Sequence, residues 1–519
     1  MTITSVRAIR DMKSSKPLVE RLLATGLIGE DQLQRALRAK RTEKEPLGKV
    51  LVRLGMISES VLRDTLKDLI GDSGIDLRAA LPDRRALALV SKEIAIRHRI
   101  LPIDFDHNDQ LLTLAVSDDS DVTAVAEIAT LLDSGIGLET CVVSEADIRF
   151  AIGKFYEHDL SIPGILREID SIDADNLDPF CADGAYSHPV NRLVDAILAD
   201  ALSRDASCVH FEPEYGFLRV RYRSDGVLRQ MMALPKNYWP GIAARLLSMS
   251  GLDAGEDASA RDGRFTVALG TRRYGFHIFC QETTHGKRLI ARINELDREI
   301  LPLEQLGLAN GALATLRLMI ARPVGLIIVA GPHDSGKTTT LYSMLCYRND
   351  ESVSVVTIED PARHPVSLVQ QTVIREGTEP NFAARIRSMM RQDADLMLIG
   401  ELDDKETGEA VLAAAGNGHQ IFTTVKANCA VAALTRMLEL GIKPRAMAGK
   451  ITGIVSQRLV RRLCRSCRQP YAPTKAERQL LGITTREPKS LYRPGVCEEC
   501  DFVGYKGRVG IFEVLKIGK

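Results

Sequence analysis

Residues 331–345, GPHDSGKTTTLYSML, carry the spacing G-x-x-x-x-G-K-[ST], and that spacing suits phosphate binding. Backbone N–H groups between Gly331 and Gly336 can wrap phosphate oxygens, and a helix opening at Lys337 directs its positive end at them. Lys337 would reach the outer phosphates, and Ser335, Thr338 and Thr339 complete the cradle, with the Thr338 hydroxyl placed for Mg²⁺. Asp334 is the awkward member. Two unit charges about 4 Å apart cost about 4 kcal/mol at an effective dielectric of ~20, so a carboxylate here predicts weakened rather than abolished affinity. Aspartate also tolerates the left-handed backbone that a glycine would supply.

Two apolar runs end in acids. TIEDP places Glu359 and Asp360 at the end of one strand, and DLMLIGELDD does the same with Glu401. In an open α/β sheet, ligands bind at the carboxyl ends of the strands. There one carboxylate can orient or deprotonate water while another holds Mg²⁺ through its hydration shell. Farther on, Cys464-x-x-Cys467 and Cys497-x-x-Cys500 give two tight turns that can grip one tetrahedral Zn²⁺. Cys141, Cys181, Cys208, Cys280, Cys346 and Cys429 are scattered and read as buried free thiols. The basic run Arg458, Arg461, Arg462, Arg465, Arg468 has no interleaved aromatics, which favours a solvated face or a protein contact over nucleic acid.

These groups need a multidomain scaffold. At 519 residues the chain exceeds one hydrophobic core, and 68 basic residues balance 68 acidic ones, so no global field points to nucleic acid or membrane. Two copies of a helix–Gly turn–helix pattern recur at an offset of 29 residues (Pro17 to Pro46), pairing Leu22 with Leu51 and Ile28 with Ile57. The expected organisation is a helical repeat over 1–75, a small α/β docking module over 76–156 and an acidic linker over 157–186. An α+β domain over 187–300 follows, then an α/β P-loop domain over 301–519 with a zinc arm at about 458–510. GLIIVAG, SVVTIED, DLMLIG and HQIFTTV alternate with helix-like segments, which predicts a doubly wound core. The first residues lack a signal-peptide core, and the longest apolar runs are strand-length. The expected location is therefore the cytoplasm, with any membrane association made through a partner.

The P-loop, TIEDP, RQDADLMLIGE, NGH and QRLVRRLCRSC, in this order, resemble the type II secretion and type IV pilus assembly ATPases. ASCVHFEP, RVRYRSDGVL and DGRF extend the resemblance upstream. It implies a cytoplasmic homo-hexamer at the bacterial inner membrane whose protomers couple a PAS-like domain to a RecA-like ATPase domain. ATP hydrolysis would drive a membrane platform protein that adds pilin or pseudopilin subunits to a filament. It also implies that Glu359 activates water, that Glu401 is the Walker B acid, and that His419 is the histidine-box residue beside the site. Arg221, Arg264 and Arg292 match basic positions of the PAS-like domain that can face a neighbour's nucleotide. QRLVRRLCRSC and GYKGRVGIFEVL match the zinc arm of the assembly type, which favours assembly over retraction.

The departures from the pattern are as informative. Asp334 stands where glycine is usual, Asp403 where arginine is usual, and Lys426 where a second histidine is usual. His277, Lys287 and Cys208 replace an arginine, a glutamate and an aspartate, and Asp257-Ala258 replaces a Lys-Arg pair. Two readings stay open: a slow or specialised motor, or a catalytically weak subunit of a ring built with an active homologue. A DNA-translocating motor would want a basic, aromatic-bearing channel, and the neutral charge opposes it. The N-terminal repeat resembles a cyclic-di-GMP-reading domain, yet Pro17-Leu18-Val19 and Pro46-Leu47-Gly48 lack the arginines, and Lys40 and Leu69 the glutamines, that it expects. Without those guanidiniums, docking to a membrane-anchored protein is the expected use.

Overall fold

The computed structural model describes residues 22–57 in part, then 76–107, 109–116, 122–132, 135–171, 188–252, 261–296, 300–360, 366–374, 382–482 and 490–518. The repeat-head residues 17–19 and 46–48, Lys40, Leu69, Cys181 and the 257–258 pair lie outside the described residues. The chain divides into two units, 1–298 and 299–519.

In the first unit, the repeat is visible as one small core. Leu22 and Leu51, and Ile28 and Ile57, are buried in the same cluster. The same turn closes each copy: Leu27 N donates to Leu22 O and Met56 N to Leu51 O, both at 3.0 Å. The chain then forms β1 (Ala80–Leu81) and a three-stranded sheet of β2 (Ile100–Asp106), β3 (Leu111–Val116) and β4 (Gly137–Val142), in that order.

A larger sheet follows from β5 (Ala206–Pro213), β6 (Phe217–Ser224), β7 (Val227–Pro235), β8 (Arg261–Leu269), β9 (Arg272–Thr283) and β10 (Gly286–Glu295). Its order is β1-β8-β9-β10-β5-β6-β7, so β1 joins its edge, running parallel to β8 with Ala80 opposite Ala268 and Leu81 opposite Leu269. Side chains alternate across a strand. Leu81 accordingly belongs to the core of the large sheet, and Ala80 to the core of the preceding module together with Ala268.

Helices Pro189–Ser203 and Trp239–Met249 supply the apolar face packed on that sheet. The expected linker over 157–186 needs correction, because it contains helix Ile162–Asp170. Ile165 and Ile169 keep helical spacing among the acids and are fully buried against the same core. Lys154, Asp195 and Arg245 line a cavity of about 200 Å³ in this unit.

The second unit holds β11 (Gly325–Ala330), β12 (Val355–Glu359), β13 (Val369–Val373), β14 (Leu396–Ile399), β15 (Gln420–Val425) and β16 (Ile451–Leu463). A short pair, β17 (Gln469–Tyr471) and β18 (Leu491–Arg493), precedes β19 (Tyr505–Lys516). The sheet runs β13-β12-β14-β15-β11-β16-β19, with every neighbour parallel except β16 and β19. Strand β11 is buried along its whole length. Leu326, Ile328 and Ala330 face one core, and Ile327 and Val329 the other. A sheet covered on both faces favours apolar residues on both, which is why β11 and β14 read as apolar runs, while β12 and β15 also bury Thr357, Thr423 and Thr424. The basic, cysteine-bearing segment is rooted in this sheet: β16 and β19 form its edge and extend past it as a ribbon.

Candidate functional site

At the carboxyl end of β11 the chain turns through the glycine loop into helix Lys337–Arg348. Gly336 is its N-cap, with φ of +85° and no side-chain cap, so the first helical turn is left for another acceptor. A Cβ on Gly331 would sit 2.3 Å from Ser335 Oγ, and one on Gly336 2.5 Å from Gln457 Nε2. The loop therefore admits no side chain at either position. Lys337 Nζ folds back over it, donating to the Gly331 and Pro332 carbonyls at 3.1 and 2.8 Å. Asp334 takes the left-handed conformation, φ +56°. Its side chain is 68% exposed and lies 3.1 Å from His333 Nδ1. At that exposure solvent screens the carboxylate and lowers the charge penalty.

The carboxyl edge collects the other groups strand by strand. Gly331 N donates to Val425 O, which brings Lys426 out beside the loop. Gly400 N donates to Ile358 O, which sets Gly400 beside Glu359 and Glu401 one residue farther along the same edge. Across β16, β11, β15, β14 and β12 the order is thus Gln457, Gly331, Lys426, Glu401 and Glu359. Glu359 is only 3% exposed. Its carboxylate accepts from Tyr342 Oη at 2.6 Å, Thr357 Oγ1 at 2.7 Å and Gln371 Nε2 at 3.3 Å. Glu401 Oε2 lies 3.0 Å from Lys426 Nζ, whose other partner is Asp403 Oδ2 at 3.2 Å. Glu401 Oε1 is buried with no hydrogen-bond partner. The Lys426 pKa is raised, first by its hydrogen bond to Glu401, with burial opposing and Asp403 adding.

His419 is a correction. It precedes β15, and its carbonyl accepts from Gly325 N at the start of β11, so it occupies the amino edge of the sheet. Its Nδ1 lies 2.7 Å from Ala394 O. Six strand residues at about 3.3 Å each put it about 20 Å from the loop edge. Lys426 stands at the edge instead. A residue quoted above only as the first of QRLVRRLCRSC, with no role assigned, holds the loop: Gln457, 3% exposed, donates to Ser335 O and accepts from Thr340 Oγ1, each at 2.6 Å. The available clue was an amide inside the apolar strand ITGIVSQ, where burial demands partners on both its atoms. Tyr342 and Gln371 were equally silent.

The four sulfurs of Cys464, Cys467, Cys497 and Cys500 lie within 4.8 Å of one another. Three separations are 3.8, 3.7 and 3.6 Å. A tetrahedron with metal–sulfur bonds of about 2.3 Å has edges of about 3.8 Å, so the quartet fits Zn²⁺ in size and donor type. The ribbon closes beneath it, with Cys464 N donating to Gly504 O and Gly504 N to Cys500 Sγ. A Cβ on Gly495 would meet the Cys467 carbonyl at 1.9 Å.

In the first unit, Arg264, His277, Arg292 and Cys208 are opposite one another in one row across β8, β9, β10 and β5. Arg264 and Arg292 are exposed, and Arg292 lies over Phe279, 5.5 Å from the ring centre. His277 Nε2 is 2.5 Å from Asp262. Arg221 is instead held by Glu212, as is Arg288, each at 2.7 Å. Burial alone would raise the Glu212 pKa, but these guanidiniums hold it below the usual range.

A buried strand, a glycine loop, a helix and acids on the adjoining parallel strands define a P-loop nucleotide-binding domain. The model of a family described as "Type II/IV secretion system protein" matches residues 183–519, and the chain belongs to that family. A second model, "MshEN domain", matches residues 71–162. The chain is 34% identical over 510 residues to the type IV pilus assembly ATPase PilB of Myxococcus xanthus, covering 96% of this chain and 89% of that protein. It is 33% identical over 442 residues to type II secretion system protein E of Dickeya dadantii, covering 80% and 87%. Among solved structures, the pilus retraction motor PilT with bound ADP aligns with 25% identity and a TM-score of 0.42, over 62% of this chain and 82% of that one.

Proposed function

We propose that the protein is a Mg²⁺-dependent ATPase that powers assembly of a type IV pilus or type II secretion pseudopilus. The observation that carries this reading is the convergence of Lys337, Glu401 and Glu359 on one sheet edge beside the glycine loop. Lys337 would exchange the Gly331 and Pro332 carbonyls for phosphate oxygens. Thr338 and Glu401 would hold Mg²⁺, and the unpartnered Glu401 oxygen suits a hard cation. Held there, Mg²⁺ would supply charge neutralisation to the phosphates. Glu359 would orient the attacking water. Tyr342, Thr357 and Gln371 hold its carboxylate as an acceptor and fix where it points.

On this reading residues 187–300 are the PAS-like partner domain, and six protomers form a ring. Arg264 and Arg292 are the residues offered to a neighbour's nucleotide, in preference to the Glu212-bound Arg221. The Cys464, Cys467, Cys497, Cys500 quartet holds Zn²⁺ and stiffens the ribbon. On the same reading it acts as a cytoplasmic ring at the inner membrane, working on a platform protein and docked through a membrane-anchored partner; relatives named for pilus assembly and type II secretion support the process it serves. Among the described residues no helix is long and apolar enough to cross a membrane.

A second reading, a ring subunit that binds nucleotide without hydrolysing it, draws on the Lys426–Glu401 contact at the metal side. Steady-state ATP hydrolysis by the assembled oligomer separates the two. Wild type should turn over, and Glu359→Gln and Lys337→Ala should fall to background. A wild type no faster than these variants, while still binding nucleotide, would overturn the motor reading.

A further inference from the structure

The two departures from the family pattern nearest the metal side touch each other. Asp403 follows β14 and Lys426 follows β15, an anion and a cation on adjoining strands. They meet at 3.2 Å, and the same ammonium lies 3.0 Å from Glu401. Glu401 is thereby divided: one oxygen is bound by the chain's own cation, while the other is buried without a partner.

The backbone around Glu401 is pinned, since Thr424 Oγ1 donates to Gly400 O at 2.7 Å and Leu402 N to Thr424 O at 2.9 Å. Lys426, by contrast, is half exposed on a flexible four-carbon stem. When a divalent cation comes to Glu401, the acid stays and the ammonium is the group that can move. Asp403, 54% exposed, gives it a second anchor.

We propose that Lys426 is a resident counter-ion of the metal side, holding Glu401 in the nucleotide-free chain and yielding to Asp403 when a divalent cation arrives. It thereby sets the metal concentration the site requires. The inference rests on the reading of Glu401 as the metal-side acid.

The test is Mn²⁺ binding to the full chain carrying one ADP per site, read from the electron paramagnetic resonance of free Mn²⁺. Lys426→Met should bind Mn²⁺ about tenfold more tightly than wild type, because an opposing charge has gone. Lys426→Arg should stay near wild type. In Lys426→Met with Glu401→Gln the gain over Glu401→Gln alone should vanish. Unchanged or weaker Mn²⁺ binding by Lys426→Met would overturn the proposal, as would a gain that persists without the Glu401 carboxylate. A merely structural lysine would weaken binding when removed. Because the readout is binding, a chain that shows this pattern yet fails to hydrolyse ATP keeps the inference and loses the motor reading.

Discussion

Gln457 offers the sharpest quantitative test of the loop's construction. Substituting leucine keeps the volume but removes both hydrogen bonds. The Ser335 carbonyl and the Thr340 hydroxyl, each bonded at 2.6 Å, lose their shared partner in a position that is 3% exposed. A buried polar group left unpaired costs about 1–3 kcal/mol. Thr340 sits in helix Lys337–Arg348 and can turn its hydroxyl to a carbonyl of the preceding turn, so the larger loss falls on Ser335. A net destabilisation of about 2 kcal/mol corresponds to about thirtyfold in the local opening constant. Amide hydrogen exchange on peptides from 331–348 should accelerate by that factor, and ADP affinity should fall with it, since binding must re-order the loop. The single tryptophan, Trp239, lies in the other unit and serves as an internal control that should not change. Unaltered exchange and unaltered ADP affinity in Gln457→Leu would refute the clamp.

Two further outcomes follow from buried charge and from sulfur geometry. Lys154 donates to Ala80 O at 2.8 Å and lies 4.0 Å from Asp195, itself about 3% exposed. Lys154→Met should therefore cost about 1–3 kcal/mol in urea unfolding followed at Trp239, because Ala80 O loses its donor while Arg245, 3.7 Å from Asp195, still faces that carboxylate; an unchanged midpoint would refute the contact. For the sulfur quartet, wild type should carry one zinc per chain by atomic emission and Cys497→Ser substantially less; full stoichiometry in the variant would remove the four-thiolate site.

The parts of this molecule legible in its sequence are those whose physics is local. The glycine loop needs Gly331 and Gly336 where a Cβ would collide, and those residues could be read directly. Strands β11, β12, β14 and β15 announce themselves because burial on both faces favours runs of apolar and β-branched residues, and the acids that end β12 and follow β14 mark the binding edge. Contacts made between distant segments were not legible. Gln457 acts on residues more than a hundred positions away, and nothing in GIVSQRL says which groups its amide meets. The His419 expectation failed for a related reason: a motif gives order along the chain, whereas the edge a residue occupies depends on which end of its strand it flanks. The Asp403–Lys426 pair appeared in sequence as two separate oddities, and only the alignment of β14 with β15 makes them one feature. Helix Ile162–Asp170 was hidden because acid-rich composition outweighed four well-spaced apolar residues.

The two-residue strand β1 has a consequence for how signals could travel through the first unit. Its neighbouring side chains point into different cores, Ala80 into that of the small module and Leu81 into that of the large sheet. It behaves as a single stitch through two fabrics. Neither layer can slide without tugging the other, yet so short a seam has few rungs to break. Unpicked, it would bare both the backbone of β8 and a leucine-sized hole, the kind of raw hem that seeks another strand. The small module is thus tailored into the domain it precedes, stitched to it by a seam only two rungs long.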